Sequence, residues 1–336
     1  MTTDVIRRRR LLAGGLAAAV LVAAVVVVVF VVRSRHGEPP ARHLTGYWQN
    51  YSSSRSANLR LSGVPTEYDV IAVAFAVPDR SHAGGIDFSV DSGLSSALGG
   101  YSDDDLTADI DTVQRDGRQV LLSVGGESDD VKISDATRAA TFARSAAALL
   151  DKFGFDGIDI DLEHGISPGP LASALHQLVT ARPGTLVTLA PQTLDVQPGG
   201  DYLALIDRIK DILTSVHTQF YNSGSMTGCD GETYVEGGPD FVTAQVCTLL
   251  KHVRADQIAL GFPASKSSAS NGYVPPSVVT AAVNCLVLLR SCGRYRPTKA
   301  APGLYGVMTW SVNNDAASHY AFAKPIRHTL TTLPPP

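Results

Sequence analysis

The sequence predicts an α/β protein, a (β/α)8 TIM barrel preceded by one N-terminal transmembrane helix. Three observations predict this class. Eight short apolar runs follow residue 43, amphipathic stretches separate them, and an uncharged run of 22 residues, Leu11–Val32, precedes them. Eight strand–helix units in roughly 290 residues fit the size of a TIM barrel. A doubly wound open sheet is the competing architecture, but no G-x-G-x-x-G follows a predicted strand.

The uncharged run is long enough to cross a membrane. As an α-helix it would extend about 33 Å, against a hydrocarbon core of about 30 Å. A secretory signal peptide has a shorter apolar region and a cleavage site of small residues, whereas Val32 is followed by Arg33, Ser34 and Arg35. The run is therefore predicted to be an uncleaved signal anchor, and a buried core helix is the alternative.

Arginines set the predicted orientation. Four of them, Arg7–Arg10, precede the run, and cytoplasmic flanks hold the excess of Lys and Arg. The sequence thus predicts a cytoplasmic basic tail (1–10), a transmembrane anchor (11–32), a linker (33–43) and a barrel (44–336) on the extracytoplasmic side of the cell membrane. Arg8–Leu12 also faintly resembles a twin-arginine export signal, and the barrel would be secreted if the anchor were cleaved.

The chain beyond residue 43 is acidic. The first 43 residues hold seven arginines and two acids, which leaves 21 basic and 30 acidic residues, a formal net charge of −9 for the rest. An acidic domain argues against nucleic acids and anionic polymers as partners. A neutral ligand fits better, and a monomer is expected.

All four cysteines lie in the predicted exported part, where disulfides persist. Three pairings are possible. The two shortest loops favour Cys229–Cys247 and Cys285–Cys292, and free buried thiols are the alternative. No C-x-x-C or His-rich spacing indicates a metal site, and neither a metal nor an organic cofactor is expected.

The apolar runs define the predicted strands. Several are nearly continuous, as expected of parallel strands covered on both faces. The predicted strands are Leu44–Tyr47, Val70–Ala76, Gln119–Val124, Gly157–Leu162, Leu186–Ala190, Val216–Phe220, Ile258–Phe262 and Leu304–Trp310. Helical spacing follows an acidic start at Asp103 and a Ser134 cap, the latter helix ending at Gly154. Further helices are predicted over Leu171–Val179, Val242–Val253 and Val278–Leu289.

The fourth predicted strand carries three carboxylates. Side chains alternate along a strand, so Asp159, Asp161 and Glu163 share one face while the intervening apolar residues share the other. The carboxylates are predicted to point into the barrel near the carboxyl end of the strand, where TIM-barrel active sites form. Clustered acids raise at least one pKa, which suits a general acid. A solvated acidic strand edge and a calcium site are the alternatives, although the spacing lacks the central glycine of an EF-hand loop.

The run Asp156–Glu163 resembles the D-x-x-D-x-D-x-E signature of family 18 chitinases. With the following His164 and Gly165 it is most similar to the plant class III chitinases and the small bacterial chitinases without an insertion domain. Four further motifs occupy the ends of the third, fifth, sixth and eighth strands in family order: Ser123–Gly126, Ala190–Gln192, Gln219–Asn222 and Trp310. The resemblance extends over nearly all of the chain from Leu44 onward.

The resemblance implies a substrate and a set of roles. The substrate would be a polymer of β-1,4-linked N-acetylglucosamine, cleaved with Glu163 as acid and base and the substrate's own N-acetyl carbonyl as nucleophile. Asp161, with Asp159, would stabilise the acetamido group, and Tyr221 would donate to its oxygen. Trp310 would form the floor of the subsite. The other sugar contacts would come from Gln192, Gln219, Asn222, Tyr47, Phe75 and Gly126.

Two rival functions remain open at this point. One is an endo-N-acetylglucosaminidase that acts on peptidoglycan or glycoprotein glycans, which membrane tethering would suit. The other is a catalytically inactive chitin-binding lectin, although such family members usually lack the acid that Glu163 supplies here.

The connection before the last strand predicts a shallow groove. Only about 40 residues separate Phe262 from Leu304, and a helix takes many of them, which leaves no room for an inserted wall domain. Endo-acting, poorly processive cleavage is expected. The family resemblance also predicts two non-proline cis peptide bonds, Ala74–Phe75 and Trp310–Ser311, the second laying the indole across the barrel mouth.

Overall fold

The computed structural model describes residues 42–128 and 131–335. These residues all belong to one compact unit. The predicted tail, anchor and nearly all of the linker lie outside the described residues, so these assignments stay predictions. Within the described ranges, no helix has the length and apolar character needed to cross a membrane.

The described chain contains eleven strands. They are β1 (His43–Gln49), β2 (Val70–Pro78), β3 (Ile86–Asp87), β4 (Gln119–Gly126), β5 (Gly157–Leu162), β6 (Leu186–Leu189), β7 (Ser215–Gln219), β8 (Ser225–Thr227), β9 (Thr233–Val235), β10 (Ile258–Pro263) and β11 (Gly306–Trp310).

Eight of these strands form a closed parallel barrel in the order β1-β11-β10-β7-β6-β5-β4-β2, and β2 pairs again with β1. Strand β3 adds to β2 in antiparallel fashion, and β8 and β9 form a separate hairpin. All eight predicted barrel strands are confirmed. The last begins at Gly306 rather than Leu304, because Leu304 N bonds to Ala301 O in a preceding turn.

Nine α-helices accompany the described strands. They are α1 (Ser92–Ala97), α2 (Asp103–Arg115), α3 (Ala136–Phe153), α4 (Pro168–Ala181), α5 (Asp201–Arg208), α6 (Pro239–Leu249), α7 (Pro276–Leu288), α8 (Val312–Ala317) and α9 (Ala323–Thr332). The link between β1 and β2 holds only a 3₁₀ turn, Leu61–Gly63, so the predicted alternation of strands and helices fails there. Other 3₁₀ turns are Thr193–Val196 and Ala255–Gln257.

Helix ends follow the local chemistry of the sequence. Ser102 and Asp105 form a capping box at the start of α2. Helix α3 is capped by Asp135, whose side chain accepts from Arg138 N, and not by the neighbouring Ser134 as predicted. Its predicted end at Gly154 is confirmed, and the glycine adopts φ 79°.

The core has two parts. The larger lies between the barrel and its helices and includes the outward-facing Ile158 and Ile160. The smaller is formed by Tyr47, Ala72, Ala74, Ala190 and Met308, with Phe75 and Trp310 packed against it. The second cluster therefore supports the two rings that the sequence assigns to sugar binding.

Several covalent and backbone predictions are confirmed. The disulfides are Cys229–Cys247 and Cys285–Cys292. The Ala74–Phe75 and Trp310–Ser311 peptide bonds are both cis. Between β10 and β11 the chain, described throughout, forms only α7 and loops, as expected of a barrel without an inserted domain.

Candidate active site

Strand β5 presents its acids to the inside of the barrel. Asp159 and Asp161 are buried, with 0% and 4% of their surface exposed, and Glu163 follows the strand end and lines an open cleft. Ile158 and Ile160 on the opposite face are buried against the helices. The predicted division of the strand into an acidic and an apolar face is confirmed.

Asp159 is held by three hydroxyl groups. Tyr47 Oη and Ser123 Oγ both donate to Oδ2 at 2.7 Å, and Thr188 Oγ1 donates to Oδ1 at 2.6 Å. The donors come from β1, β4 and β6. Burial, followed by the nearby charges of Asp159 and Asp161, raises the pKa of Tyr47 well above its ordinary value, so the phenol keeps the proton it donates.

Asp161 lies between the other two acids. Gln219 Nε2 donates to its Oδ1 at 2.8 Å. Burial, then the charges of Glu163 and Asp159, raises the pKa of Asp161 well above the ordinary 3.8, and the bond from Gln219 opposes the shift only in part. Asp161 therefore keeps a proton at pH values where an exposed aspartate has lost it.

Two glutamine amides orient Glu163. Gln192 Nε2 donates to Oε2 and Gln219 Nε2 lies near Oε1, both at 3.1 Å. The same Gln219 nitrogen also lies 3.0 Å from Ala190 O and 2.8 Å from Asp161 Oδ1. An amide nitrogen has two hydrogens, so these three acceptors share them and Gln219 couples the two carboxyls.

Two aromatic rings form the floor of the cleft. Phe75 and Trp310 stack with ring centroids 5.6 Å apart and an interplanar angle of 17°. Tyr47 lies below, tilted, 5.7 Å from Trp310. Gly126 adopts φ 82°, and a Cβ at this position would lie 2.7 Å from the Phe75 ring, so only glycine allows the ring its place.

Tyr221 faces the acids across the cleft. Its side chain is 7% exposed and lines the cleft, and its hydroxyl forms no hydrogen bond with the residues that the structure describes. Burial, then the charges of Asp161 and Glu163, raises the pKa of this phenol well above its ordinary value. The site therefore offers an uncommitted O–H donor opposite two carboxyls.

Comparison with known proteins identifies the family to which the chain belongs. The profile of glycosyl hydrolases family 18 matches residues 43–301. The chain belongs to this family. It is 33% identical over 341 residues to chitinase Chi52 of Paenibacillus xylanexedens, which covers 89% of this chain and 64% of that relative's length. The family 18 chain thus spans less than two thirds of this curated relative.

Two solved structures are similar throughout the barrel. A crystal structure of a candidate chitinase A from Streptomyces coelicolor is 42% identical with a TM-score of 0.84, covering 87% of this chain and 99% of that one. A family 18 chitinase from Chromobacterium violaceum is 33% identical with a TM-score of 0.80, covering 86% and 83%. Both support the barrel fold derived above.

The cleft of the family 18 chain brings most of the predicted residues together. Its volume is about 720 Å³. Nine predicted residues line it: Phe75, Gly126, Asp161, Glu163, Gln192, Gln219, Tyr221, Asn222 and Trp310. Among the described residues, no group of three His, Cys, Asp or Glu side chains is placed to hold a metal ion.

Two predicted sugar contacts lie differently from the rest. Tyr47 is 1% exposed beneath the cleft, and its hydroxyl is directed to Asp159. Asn222 is at the rim with φ 51°, and its Oδ1 accepts from Asn271 N at 2.9 Å. The structure therefore places Tyr47 as a support of the acids.

Sequence reasoning missed several residues of the cleft wall. These are Arg55, Glu127, His164 and the loop Lys266–Ser270. They lie in loops after β1, β4, β5 and β10, where no strand periodicity predicts a direction. A second cleft of about 500 Å³ shares Phe75, Glu127 and Trp310 with the first, so the two rings stand where the clefts meet.

Proposed function

We propose that this family 18 chain is a chitinase that hydrolyses polymers of β-1,4-linked N-acetylglucosamine with retention of configuration. One observation carries the proposal: Asp161, buried and with a raised pKa, lies beside Glu163 in a cleft floored by stacked aromatic rings. The similarity to the Paenibacillus relative, which is named a chitinase, supports the same activity.

Glu163 acts as the acid and then as the base. Gln192 and Gln219 hold its two oxygens, which fixes the carboxyl in the cleft wall. It gives a proton to the glycosidic oxygen as the bond from that oxygen to the anomeric carbon breaks. The acetamido oxygen of the same sugar attacks that carbon from the opposite face and closes an oxazolinium ring. Glu163 then takes a proton from the water that opens the ring.

Asp161 and Tyr221 orient the acetamido group. Asp161 accepts from the acetamido N–H and stabilises the positive charge of the ring, while its own proton is shared towards Asp159. The Tyr221 hydroxyl, which has no partner among the described residues, donates to the acetamido oxygen. Preorganised donors and charges of this kind act strongly in a dry site.

Trp310 and Phe75 bind the sugar ring itself. Pyranose rings have an apolar face that packs on aromatic surfaces, and both aromatic side chains line the cleft. The chain is also proposed to act as a monomer, anchored in the cell membrane by residues 11–32 with its barrel on the extracytoplasmic side.

One observation favours a second candidate substrate. Arg55 and Lys266 are exposed in the cleft lining, and neither side chain has an ion pair among the described residues. They follow β1 and β10, the two neighbours of the strand that ends at Trp310. Two cations there suit a glycan with carboxylate substituents such as peptidoglycan, which an endo-N-acetylglucosaminidase would cleave. Replacing both by alanine would then slow peptidoglycan cleavage and leave chitin cleavage unchanged.

Turnover by paired glutamate variants tests the main proposal. The chain should release shorter products from N-acetylglucosamine oligomers, and Glu163→Gln should lower kcat by about 10³-fold or more, since both proton transfers are lost. Glu232→Gln, an exposed change outside the cleft, is the control and should match wild type. Equal turnover in Glu163→Gln, or oligomer binding without any turnover by wild type, would contradict the proposal.

A further inference from the structure

The main-chain ladder of the barrel stops beside the acids of β5. Up to Ile160 the strand pairs with β6, and Ala190 N donates to Ile160 O at 2.8 Å. In a parallel ladder the next bond in this register would join Leu162 N to Ala190 O. This bond is not formed: Ala190 O accepts from Gln219 Nε2 at 3.0 Å, and Leu162 N has a side-chain partner instead.

Tyr202 in the first turn of α5 fills this gap. Its hydroxyl accepts from Leu162 N at 2.9 Å and donates to Leu162 O at 3.1 Å. Tyr202 and Leu162 are 1% and 5% exposed, so solvent does not reach these groups. Burial, then the charge of Asp161, raises the pKa of Tyr202 well above its ordinary value, and the phenol keeps its proton.

The edge of β5 that faces β4 keeps its main-chain pairing as far as Leu162. Strand β4 pairs with β5 as far as Gly126 opposite Leu162. Gly125, opposite Asp161, packs so closely that a Cβ there would lie 2.3 Å from Asp161 O. At Leu162 one edge of β5 is thus bound to a neighbouring strand, and the other edge is bound to a single hydroxyl group.

We propose that Tyr202 is a positioning residue for the two carboxyls in the cleft. Leu162 stands between Asp161 and Glu163, so the peptide that Tyr202 holds sets the direction of both side chains. Proton transfer needs heavy atoms about 2.6–3.2 Å apart, and a displacement of about 1 Å lowers rates about a hundredfold. The role rests on the proposed function, because it concerns the rate of that reaction.

The experiment compares two buried tyrosines in the whole chain. Tyr202→Phe removes the hydroxyl at β5. Tyr101→Phe removes an equally buried hydroxyl, which donates to Asp109 Oδ2 at 2.9 Å on α2. Both changes should lower Tm. Only Tyr202→Phe should lower kcat on N-acetylglucosamine hexamer, by about 10- to 100-fold, with KM within about twofold of wild type.

Hydrogen exchange at the Leu162 amide gives a readout that needs no catalysis. Exchange should be at least about tenfold faster in Tyr202→Phe and unchanged in Tyr101→Phe. If wild type does not cleave the hexamer but Leu162 exchange responds as expected, the proposed function fails and the backbone contact stands. A folded Tyr202→Phe protein with wild-type kcat overturns the positioning role.

A second pair of variants decides the case if Tyr202→Phe does not fold. 4-Aminophenylalanine at position 202 keeps a group that donates and accepts, whereas 4-methylphenylalanine fills the same volume without a hydrogen bond. The amino variant should exceed the methyl variant in kcat by at least about tenfold. Equal kcat values in the two would overturn the role of Tyr202.

Discussion

The three proposed catalytic acids lie on β5 or directly after it, and the sequence predicts that they share one face of the chain. The alternation of side chains along a strand is enough to bring Asp159, Asp161 and Glu163 to one face. It does not predict which hydroxyl groups surround Asp159. Ser123 and Thr188 reach it from neighbouring strands because the register of the barrel places them opposite it, and register is a property of the closed sheet.

Replacing Asp161 by asparagine tests the electrostatics of the cluster. Below pH 3.8 the carboxyl is protonated in both the folded and the unfolded chain, so the charge makes no difference. As the pH rises, the unfolded chain loses a proton that the folded chain retains, because the folded pKa of Asp161 is raised. Wild type therefore loses stability relative to Asp161→Asn as the pH rises from 3.8 towards the folded pKa.

At pH 7 the Asp161→Asn variant should be more stable than wild type, because the neutral amide avoids the free-energy cost that goes with the raised pKa of Asp161. Its kcat should fall by about 100-fold or more, since the oxazolinium ring loses its countercharge. Denaturant unfolding at pH 4 and pH 7, with kinetics on the same samples, measures both effects. A wild type that is the more stable protein at pH 7 would contradict the raised pKa.

Removing the hydroxyl of Tyr221 should affect catalysis but not stability. Tyr221→Phe removes a hydroxyl without a partner among the described residues, so the free energy of unfolding should change by less than about 1 kcal/mol. In the proposed reaction the same hydroxyl donates to the attacking acetamido oxygen, so kcat should fall by about 10²- to 10³-fold. Steady-state kinetics measures kcat, and urea unfolding measures the free energy of unfolding. A large loss of stability with little change in kcat would assign Tyr221 to the core.

At the scale of strands and helices, the sequence predicts those elements that have a pattern within a short stretch of residues. Apolar runs identify all eight barrel strands because each is buried on both faces. Helix α5 is not predicted, because its eight residues are fewer than the window of about 11–18 residues in which helical periodicity is recognised. The absence of a helix between β1 and β2 was not foreseen either. The irregular link there is held by a side-chain bond to the main chain, in which Trp48 Nε1 donates to Leu59 O.

The end of β4 shows how an element constrains the site. Gly125 has φ 116° and would place a Cβ 2.3 Å from Asp161 O, whereas Gly99 has φ 73° and open space around it. Gly99→Ala should therefore cost only the left-handed backbone term, about 1–2 kcal/mol. Gly125→Ala should cost about 3 kcal/mol or more, since the clash with β5 is added. Urea unfolding of both variants gives the comparison. If both lose the same free energy of unfolding, β5 moves to make room for the methyl group and the clash adds no cost.

The whole molecule joins a described barrel to a predicted anchor. The full chain should sediment with membranes and resist extraction by high salt, because 22 uncharged residues are long enough to cross the bilayer. A chain that begins at residue 42 is the matched control and should remain in the supernatant. Fractionation of cells that express each form measures this. If both forms were found in the membrane fraction to the same extent, the prediction that residues 11–32 anchor the chain would be wrong.

The openness of the cleft predicts where along a polymer the chain cleaves. The connection from β10 to β11 adds no wall to the cleft, and the stacked Phe75 and Trp310 rings stand where two clefts meet. A long polymer can therefore enter from the side, which favours internal cleavage. The sequence predicts this openness from the length of one connection, but not the second cleft, whose walls come from loops after several strands.

Product analysis on a hexamer of N-acetylglucosamine tests the central claim most directly, with the glucosamine hexamer as its partner substrate. If the acetamido oxygen is the nucleophile and Glu163 the acid, the acetylated hexamer is cleaved internally, and the first product is the β-anomer. The glucosamine hexamer is not cleaved, because it has no acetamido group to close the ring. Cleavage of both hexamers at similar rates, or a first product in the α-form, would contradict the mechanism.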